Sequence, residues 1–147
     1  MKKVSALGLD VGKRRMGVAG CDGTGLIATG LTTIYRTSWD KDVEQLKEII
    51  QEREVEILVI GLPYNLDGTI GFQAKQVLKF ADKISQSLQL PIEYVDERLT
   101  SVEAQNQLKA HKRFSTRDKG AIDRRAAAII LQQWLDCRRD RQSTREE

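Results

Sequence analysis

The sequence predicts an α/β domain built on a five-stranded mixed sheet with helices on its faces. The first 35 residues hold three β-prone segments separated by short turns, as antiparallel strands do. The later residues alternate helical periodicity with two short apolar runs, which is typical of strands joined by helical crossovers. Because 147 residues make one ordinary domain, we predict a single domain over 1–138, followed by a charged, disordered tail over 139–147.

The first predicted strand carries an acidic residue near its end. Residues 4–11 read as a strand with apolar side chains on both faces, and Asp10 stands close to its tip. A carboxylate in that position is costly without a partner. After a basic turn, β-prone segments over 16–19 and 26–35 predict the second and third strands, which we expect to be antiparallel.

The remaining elements are indicated by caps and by hydrophobic periodicity. Ser38 is a good N-cap, and Thr100 with Glu103 forms a capping box. Residues 110–120 show no periodicity and many basic side chains, which indicates a loop. The predicted elements are, in order, a helix from 38 to about 53, a strand over 57–60, a helix over 74–88, a strand over 92–95, a helix from 100 to about 109 and a helix over 121–138.

The composition argues against several classes of protein. Cys21 and Cys137 lie far apart and the chain has a single histidine, His111, so neither a disulfide framework nor a zinc or His-rich site is indicated. No apolar run approaches the length of a transmembrane helix, and the early charged turn leaves no room for a signal peptide. We therefore expect a cytoplasmic protein with no membrane contact.

The net charge of +3 is small, but the charges are unevenly distributed. Residues 109–125 are rich in bases and residues 40–56 are rich in acids. A segregated basic segment is typical of a protein that binds a phosphate backbone, although a solvated loop would have the same composition. The side chains that we expect to contact nucleic acid are Lys13, Arg14, Arg15, Asn65, Arg98, Arg117, Lys119 and Arg124.

Three acidic positions stand where core packing would favour other side chains. Asp10 and the pair Asp96-Glu97 follow strands whose ends meet at one edge of the predicted sheet, where open α/β sheets bind ligands. Asp123 extends the apolar stripe of the last helix towards its N-terminus. Because neighbours on a strand face opposite sides, alternation alone leaves open whether Asp96 or Glu97 turns inward.

Carboxylates that converge in a small volume repel one another and raise one another's pKa unless cations neutralise them. Mg²⁺ or Mn²⁺ would meet this need, since hard divalent cations prefer oxygen ligands. Two such ions about 4 Å apart can activate a water molecule and stabilise the leaving oxygen in phosphodiester hydrolysis. The predicted chemistry is therefore metal-dependent cleavage of a nucleic-acid backbone.

Four motifs, in this order and spacing, resemble a known family. They are LGLDVG at 7–12 with RMGVA at 15–19, GLP at 61–63 with DG at 67–68, DERLT at 96–100, and Asp123 with AAAIILQ at 126–132. Together they resemble the YqgF family, also called RuvX, of RuvC-like nucleases in the ribonuclease H-like superfamily. The family's usual Ser-Asp-Pro run is replaced here by GCDG at 20–23, a departure that lies in a turn.

The resemblance implies a ribonuclease H-like fold in a cytoplasmic bacterial nuclease that matures the 5′ end of 16S ribosomal RNA. It carries the family's catalytic and metal-binding triad onto Asp10, Glu97 and Asp123, and so favours Glu97 over Asp96. The implied cofactor is Mg²⁺ or Mn²⁺, as a pair of ions. The implied partner is structured precursor rRNA, bound by a monomer or a weak homodimer.

Three other functions stay open from the sequence. A four-way DNA junction resolvase would share the metal site, but that enzyme type uses a fourth acid and here the next acid on the last helix is Asp136, about four turns away. An ATP-binding lobe of the actin and Hsp70 kind has a similar first strand and turn, but such proteins close two lobes over the nucleotide. A non-catalytic RNA-binding assembly factor would keep the acids as a structural feature.

Overall fold

The computed structural model describes residues 4–65, 67–97 and 119–146. The strands are β1 (Ala6–Val11), β2 (Arg15–Cys21), β3 (Ala28–Tyr35), β4 (Ile57–Leu62) and β5 (Ile92–Asp96), and the helices are α1 (Trp39–Arg53), α2 (Phe72–Leu88) and α3 (Lys119–Glu146). The predicted helix from residue 100, most of the predicted basic loop, Arg98 and Arg117 lie outside the described residues.

The five strands form one mixed sheet in the order β3-β2-β1-β4-β5. The pairs β1-β2 and β2-β3 are antiparallel, whereas β1-β4 and β4-β5 are parallel. This arrangement confirms the predicted sheet, including its three antiparallel strands. Because β1, β4 and β5 run in the same direction, their carboxyl ends lie along one edge, which we call the acidic edge after Asp10 and Glu97.

The two faces of the sheet carry separate apolar clusters. Alternate residues of β1 such as Leu7 and Leu9 are fully buried in a cluster with residues of α1 and α2. The intervening positions, beginning with Ala6, contribute to a second cluster with Leu131 and Leu135 of α3. The sheet is therefore covered by α1 and α2 on one face and by α3 on the other.

The helix ends agree with the sequence at α1 and differ at α3. Ser38 is extended and its side chain accepts a hydrogen bond from the Lys41 backbone N–H, as its predicted role as N-cap requires. The last helix, α3, continues to Glu146, eight residues beyond its predicted end, so most of the segment predicted as a disordered tail is helical. The segment 139–146 contains neither glycine nor proline, and Asp136 pairs with Arg139 one turn later. None of the helices that the structure describes is both long enough and apolar enough to cross a membrane.

Candidate active site

Asp10 lies on the face of the sheet that α3 covers. The alternation along β1 places Ala6, Gly8 and Asp10 on this face, because Leu7 and Leu9 belong to the opposite cluster. Asp10 is half-buried near the carboxyl end of β1. Its carboxylate therefore points towards the space between the acidic edge and the N-terminal half of α3.

Glycines on this face let the backbone of α3 approach the strands closely. A Cβ atom added to Gly17 of β2 would lie 1.9 Å from the carbonyl oxygen of Asp123, and one added to Gly8 would lie 2.7 Å from the Cβ of Leu131. A Cβ atom added to Gly30 of β3 would lie 3.0 Å from the Cβ of Arg124. We call Gly8, Gly17 and Gly30 the glycine track.

Sequence reasoning did not assign the glycine track a role. A glycine inside an otherwise apolar strand signals a bulge or a close backbone approach, and Gly8 and Gly17 both stand in such strands. The glycines therefore indicated a close approach of another backbone segment. They did not indicate which segment of the chain it is. The structure shows that the element is α3, which meets Gly17 with the turn that carries Asp123 and Gly8 with Ala127 and Leu131.

Asp123 forms an ion pair with Arg15. The Nε of Arg15 donates a hydrogen bond of 2.6 Å to the Oδ2 of Asp123, and both side chains are partly buried. Arg15 is the first residue of β2 and lies on the face covered by α3. The sequence predicted a phosphate contact for Arg15, whereas in the structure its Nε is engaged by a carboxylate.

Glu97 turns towards α3, and Asp96 faces the other way. Asp96 ends β5 and pairs in register with Leu62, whose side chain belongs to the cluster with α1 and α2. The carboxylate of Glu97 lies over Gly61, close enough that an added Cβ at Gly61 would be 2.7 Å from its Oε1. The strand register thus decides the orientation of the two acids that alternation left open.

The environment of Glu97 raises its pKa to about 7. The largest cause is burial, which disfavours the charged carboxylate, and the negative charges of Asp10 and Asp96 add to the effect. Asp10 is therefore close enough to influence the ionisation of Glu97, although the two acids come from different parts of the chain. A buried carboxyl group with a pKa near neutrality and a second carboxylate beside it is a common feature of functional sites.

The donor set formed by Asp10 and Glu97 fits a hard divalent cation, because both side chains offer carboxylate oxygens and their mutual repulsion would be relieved by positive charge. Asp123 does not complete a cluster of three in this structure. Within residues 4–65, 67–97 and 119–146, no three His, Cys, Asp or Glu side chains are placed together as the ligands of one metal ion. The physical reason that we find for the separate position of Asp123 is its ion pair with Arg15.

The predicted phosphate-contacting bases are spread around this site. Lys13 and Arg14 are exposed in the turn between β1 and β2, and Lys119 is exposed at the first turn of α3. Arg124 is directed to β3, where its guanidinium donates a hydrogen bond of 3.3 Å to the Thr33 hydroxyl. The bases of the turn and of the helix start are therefore exposed, whereas Arg124 has a structural contact.

Asn65 shapes the loop that follows β4. Its backbone N–H donates to the carbonyl of Thr69, its side-chain amide donates to the Thr69 hydroxyl at 3.0 Å, and its carbonyl accepts from the Gly68 N–H. Asp67 accepts two further hydrogen bonds from Thr69. The contacts of Asn65 in the structure are those of a turn-forming asparagine.

Comparisons with known proteins agree with this geometry. The sequence model of the RuvX family, described as Holliday junction resolvase, matches residues 4–137. A protein of Rippkaea orientalis named "Putative pre-16S rRNA nuclease" is 73% identical over 139 residues, which cover 95% of this chain and all of that protein. A protein of the same name from Synechocystis sp. is 67% identical over 94% of this chain and 91% of its own length.

Solved structures are similar in fold at much lower sequence identity. Thermus thermophilus RuvC has a TM-score of 0.55 at 12% identity, covering 93% of this chain and 97% of its own. The Fowlpox virus resolvase, solved with Holliday junction DNA, has a TM-score of 0.54 at 6% identity and covers 91% and 98% of the two chains. These similarities confirm the predicted RuvC-like, ribonuclease H-like fold. With a family match over residues 4–137 and relatives identical at two thirds of positions or more, the chain belongs to the RuvX family.

Proposed function

We propose that this protein is a divalent-metal-dependent nuclease that hydrolyses phosphodiester bonds of structured RNA, with the 5′ end of precursor 16S rRNA as its substrate. The observation that carries the proposal is the meeting of Asp10 and Glu97 at the acidic edge, beneath the helix that supplies Asp123. The names of the relatives from Rippkaea and Synechocystis support the choice of precursor rRNA. We further propose a cytoplasmic location and a monomeric or weakly dimeric state.

In this proposal Asp10 and Glu97 hold Mg²⁺ or Mn²⁺, and Asp123 is the third acidic ligand. The bound cation supplies Lewis-acid stabilisation of the negative charge that develops on the phosphate and on the leaving oxygen. The glycine track keeps the first turns of α3 against β2, and so sets the distance of Asp123 from the two strand-borne acids.

The side chains of the protein orient the substrate and manage its charge. Lys13 and Arg14 bind phosphates on one side of the acidic edge, and Lys119 binds them at the start of α3. Arg15 orients Asp123, because its guanidinium neutralises the partly buried carboxylate. Glu97, whose pKa is raised to about 7 by burial and by the neighbouring acids, would hold a cation in its ionised form.

The test is cleavage of a precursor 16S rRNA fragment containing the 5′ leader, with Mg²⁺ or Mn²⁺ and with EDTA. Asp10→Asn keeps the volume and polarity of the side chain and removes its charge, so it is the matched inactive control. We expect metal-dependent cleavage by the wild-type protein and a loss of at least 100-fold in Asp10→Asn and in Asp123→Asn. Cleavage unaffected by all three substitutions Asp10→Asn, Glu97→Gln and Asp123→Asn would contradict the proposal.

A four-way DNA junction is the second candidate substrate. It is favoured by the description of the family and by the fold shared with RuvC and the Fowlpox virus resolvase. On α3, however, the next acid after Asp123 among the described residues is Asp136, which lies about 20 Å further along the helix. There Asp136 contacts Gln132 and Arg139. Preference for a synthetic junction over matched RNA in the same assay would select this candidate. RNA binding without cleavage of either substrate would instead indicate an assembly factor.

A further inference from the structure

A groove of about 540 Å³ lies on the face of the sheet opposite to α3. One wall is the turn after β1, and the other walls are the segment that follows β3 and the N-terminal half of α2. None of the residues identified with the acidic triad lines it. We call this cavity the aromatic groove, after the three aromatic side chains Trp39, Phe72 and Phe80 in its lining.

Phe72 is the most exposed large apolar side chain among the described residues. It stands in the first turn of α2 with 79% of its surface accessible, whereas Ala74 and Val77, on the side of α2 that packs against the core, are buried. A phenylalanine exposed to this extent contributes little to the packing of α2. Its ring is free to stack on a flat ligand, and stacking on a nucleobase contributes about 1–3 kcal/mol.

The floor of the aromatic groove combines aromatic rings with cations. Trp39 and Phe80 pack edge to face, with ring centroids 5.8 Å apart. The guanidinium of Arg36 lies 4.8 Å above the Phe80 ring, and the ammonium of Lys83 lies 4.2 Å above the Trp39 ring. Arg36 is further held by the carbonyl of Gly12 at 2.6 Å, so it is anchored at the edge of the groove.

The charge of the groove lining selects for a polyanion. The lining contains four basic side chains, Lys13, Arg36, Lys79 and Lys83, and no acidic one. Within the described parts of the chain, neither Lys13 nor Lys79 takes part in an ion pair, and both are exposed. The charge of Arg36 is partly neutralised by the buried carboxylate of Asp42, whose Oδ2 lies 3.8 Å from the Arg36 Nε. Exposed cations beside an exposed aromatic ring, here Phe72, are typical of surfaces that bind single-stranded nucleic acid.

The position of the groove connects it to the acidic edge. Val11 and Gly12, the two residues after Asp10, belong to its lining. A nucleic-acid strand held at Asp10 can therefore continue around the end of β1, past Lys13, and into the groove. A basic protein partner would find no acidic side chain in the lining to meet its own bases.

We propose that the aromatic groove binds a single-stranded segment of nucleic acid, with a base stacked on Phe72 and phosphates on Lys13 and Lys79. This inference deepens the proposed function, on which it rests for the identity of the strand as RNA. The protein would then hold a substrate at two places, with its scissile bond at the acidic edge and an unpaired flanking segment on the opposite face of the sheet.

The test is binding of a fluorescently labelled single-stranded oligoribonucleotide to the full-length protein in EDTA, followed by anisotropy at several salt concentrations. EDTA prevents metal-dependent cleavage, so the measurement does not depend on the proposed activity. We expect Phe72→Ala to weaken binding about 5-fold to 100-fold and Phe72→Trp to restore it, since tryptophan stacks at least as well. Lys79→Ala should weaken binding and reduce the slope of log affinity against log salt by about 0.7.

The matched controls lie outside the groove. Ile27→Ala removes an apolar side chain that is 63% exposed in the hairpin between β2 and β3, and Lys47→Ala removes an exposed lysine of α1. Both should bind the oligonucleotide like the wild-type protein. Phe72→Ala should also keep the wild-type melting temperature, because the ring is exposed, and this excludes misfolding as the cause of weaker binding.

The outcomes separate this inference from the proposed function. Unchanged affinity in Phe72→Ala together with an unchanged salt slope in Lys79→Ala overturns the groove proposal, even if precursor rRNA is cleaved. A protein partner lost on Phe72→Ala, with RNA binding intact, also overturns it. Weaker binding in both variants supports the groove, even if no RNA is cleaved, and in that case only the proposed nuclease function fails.

Discussion

The Nε of Arg15 lies 2.6 Å from the Oδ2 of Asp123, and this ion pair joins the start of β2 to the first turns of α3. The two residues are 108 positions apart in the sequence. Their contact holds the acid of the last helix against the sheet. Arg15 thus has two consequences that can be measured, one for stability and one for metal binding.

Replacing Arg15 with alanine should lower the free energy of unfolding by about 1–2 kcal/mol at neutral pH, because it leaves the partly buried carboxylate of Asp123 without its donor. Urea denaturation would measure the change. The double variant Arg15→Ala/Asp123→Asn should lose less than the sum of the two single variants. Arg14→Ala, at the exposed neighbouring position, should stay within about 0.5 kcal/mol of wild type. Equal losses at Arg14 and Arg15 would contradict a specific pair.

The same substitution should tighten binding of Mn²⁺. Without its guanidinium partner, Asp123 is available as an oxygen ligand, and one positive charge is removed from the neighbourhood of Asp10 and Glu97. We expect the dissociation constant to fall several-fold in Arg15→Ala, as measured by calorimetric titration. Arg15→Ala/Asp123→Asn should reverse most of this gain. A gain that persists in the double variant would show that the charge alone is responsible.

Gly17→Ala should displace α3 and destabilise the protein by about 2–4 kcal/mol, because the new methyl group would lie 1.9 Å from a backbone oxygen that cannot rotate away. Thermal unfolding would show the loss. Gly23→Ala is the matched control, since Gly23 is exposed and does not have a positive φ. Wild-type stability in Gly17→Ala would mean that α3 does not lie as close to β2 as the structure shows.

Glu97 should make the metal-free protein less stable as the pH rises. Its pKa is about 7 in the folded protein and close to 4.5 when unfolded, so the folded state binds the proton more tightly. Its contribution is most favourable below pH 4.5 and is lost between about pH 4.5 and 7, by about 1–3 kcal/mol. In EDTA, Glu97→Gln should remove this part of the pH dependence and be more stable than wild type at pH 8. If the free energy of unfolding depended on pH in the same way in both proteins, the raised pKa would be contradicted.

Asp22 should have the opposite effect at acid pH. Its carboxylate accepts hydrogen bonds from the backbone N–H groups of Leu26 and Ile27 and from the Thr24 hydroxyl, and these bonds lower its pKa to about 2. The stability that Asp22 contributes is therefore complete above about pH 4 and is lost as the pH falls towards 2. The difference in melting temperature between wild type and Asp22→Asn should be constant at higher pH and shrink below pH 4. A constant difference down to pH 2 would contradict this account.

Local signals accounted for most of the fold. The Ser38 cap, the apolar run that became β4 and the periodicity of α2 depend on neighbouring residues, and the predicted elements appear at these places. The end of α3 was misjudged, because a charged segment without glycine or proline can be helical as readily as disordered. The predicted basic contacts at Arg98 and Arg117 stay predictions, as does the helix from residue 100.

The sequence by itself determined the order of the strands and helices, the acidic residues at the strand ends and the family, because these follow from periodicity, caps and motifs along the chain. Only the tertiary structure decided which acid of the pair 96–97 turns towards α3, since that depends on the register between β4 and β5. The pairing of Asp123 with Arg15 likewise depends on how closely the glycine track lets α3 approach. The aromatic groove joins segments distant in sequence, so its residues became a surface only when the chain folded.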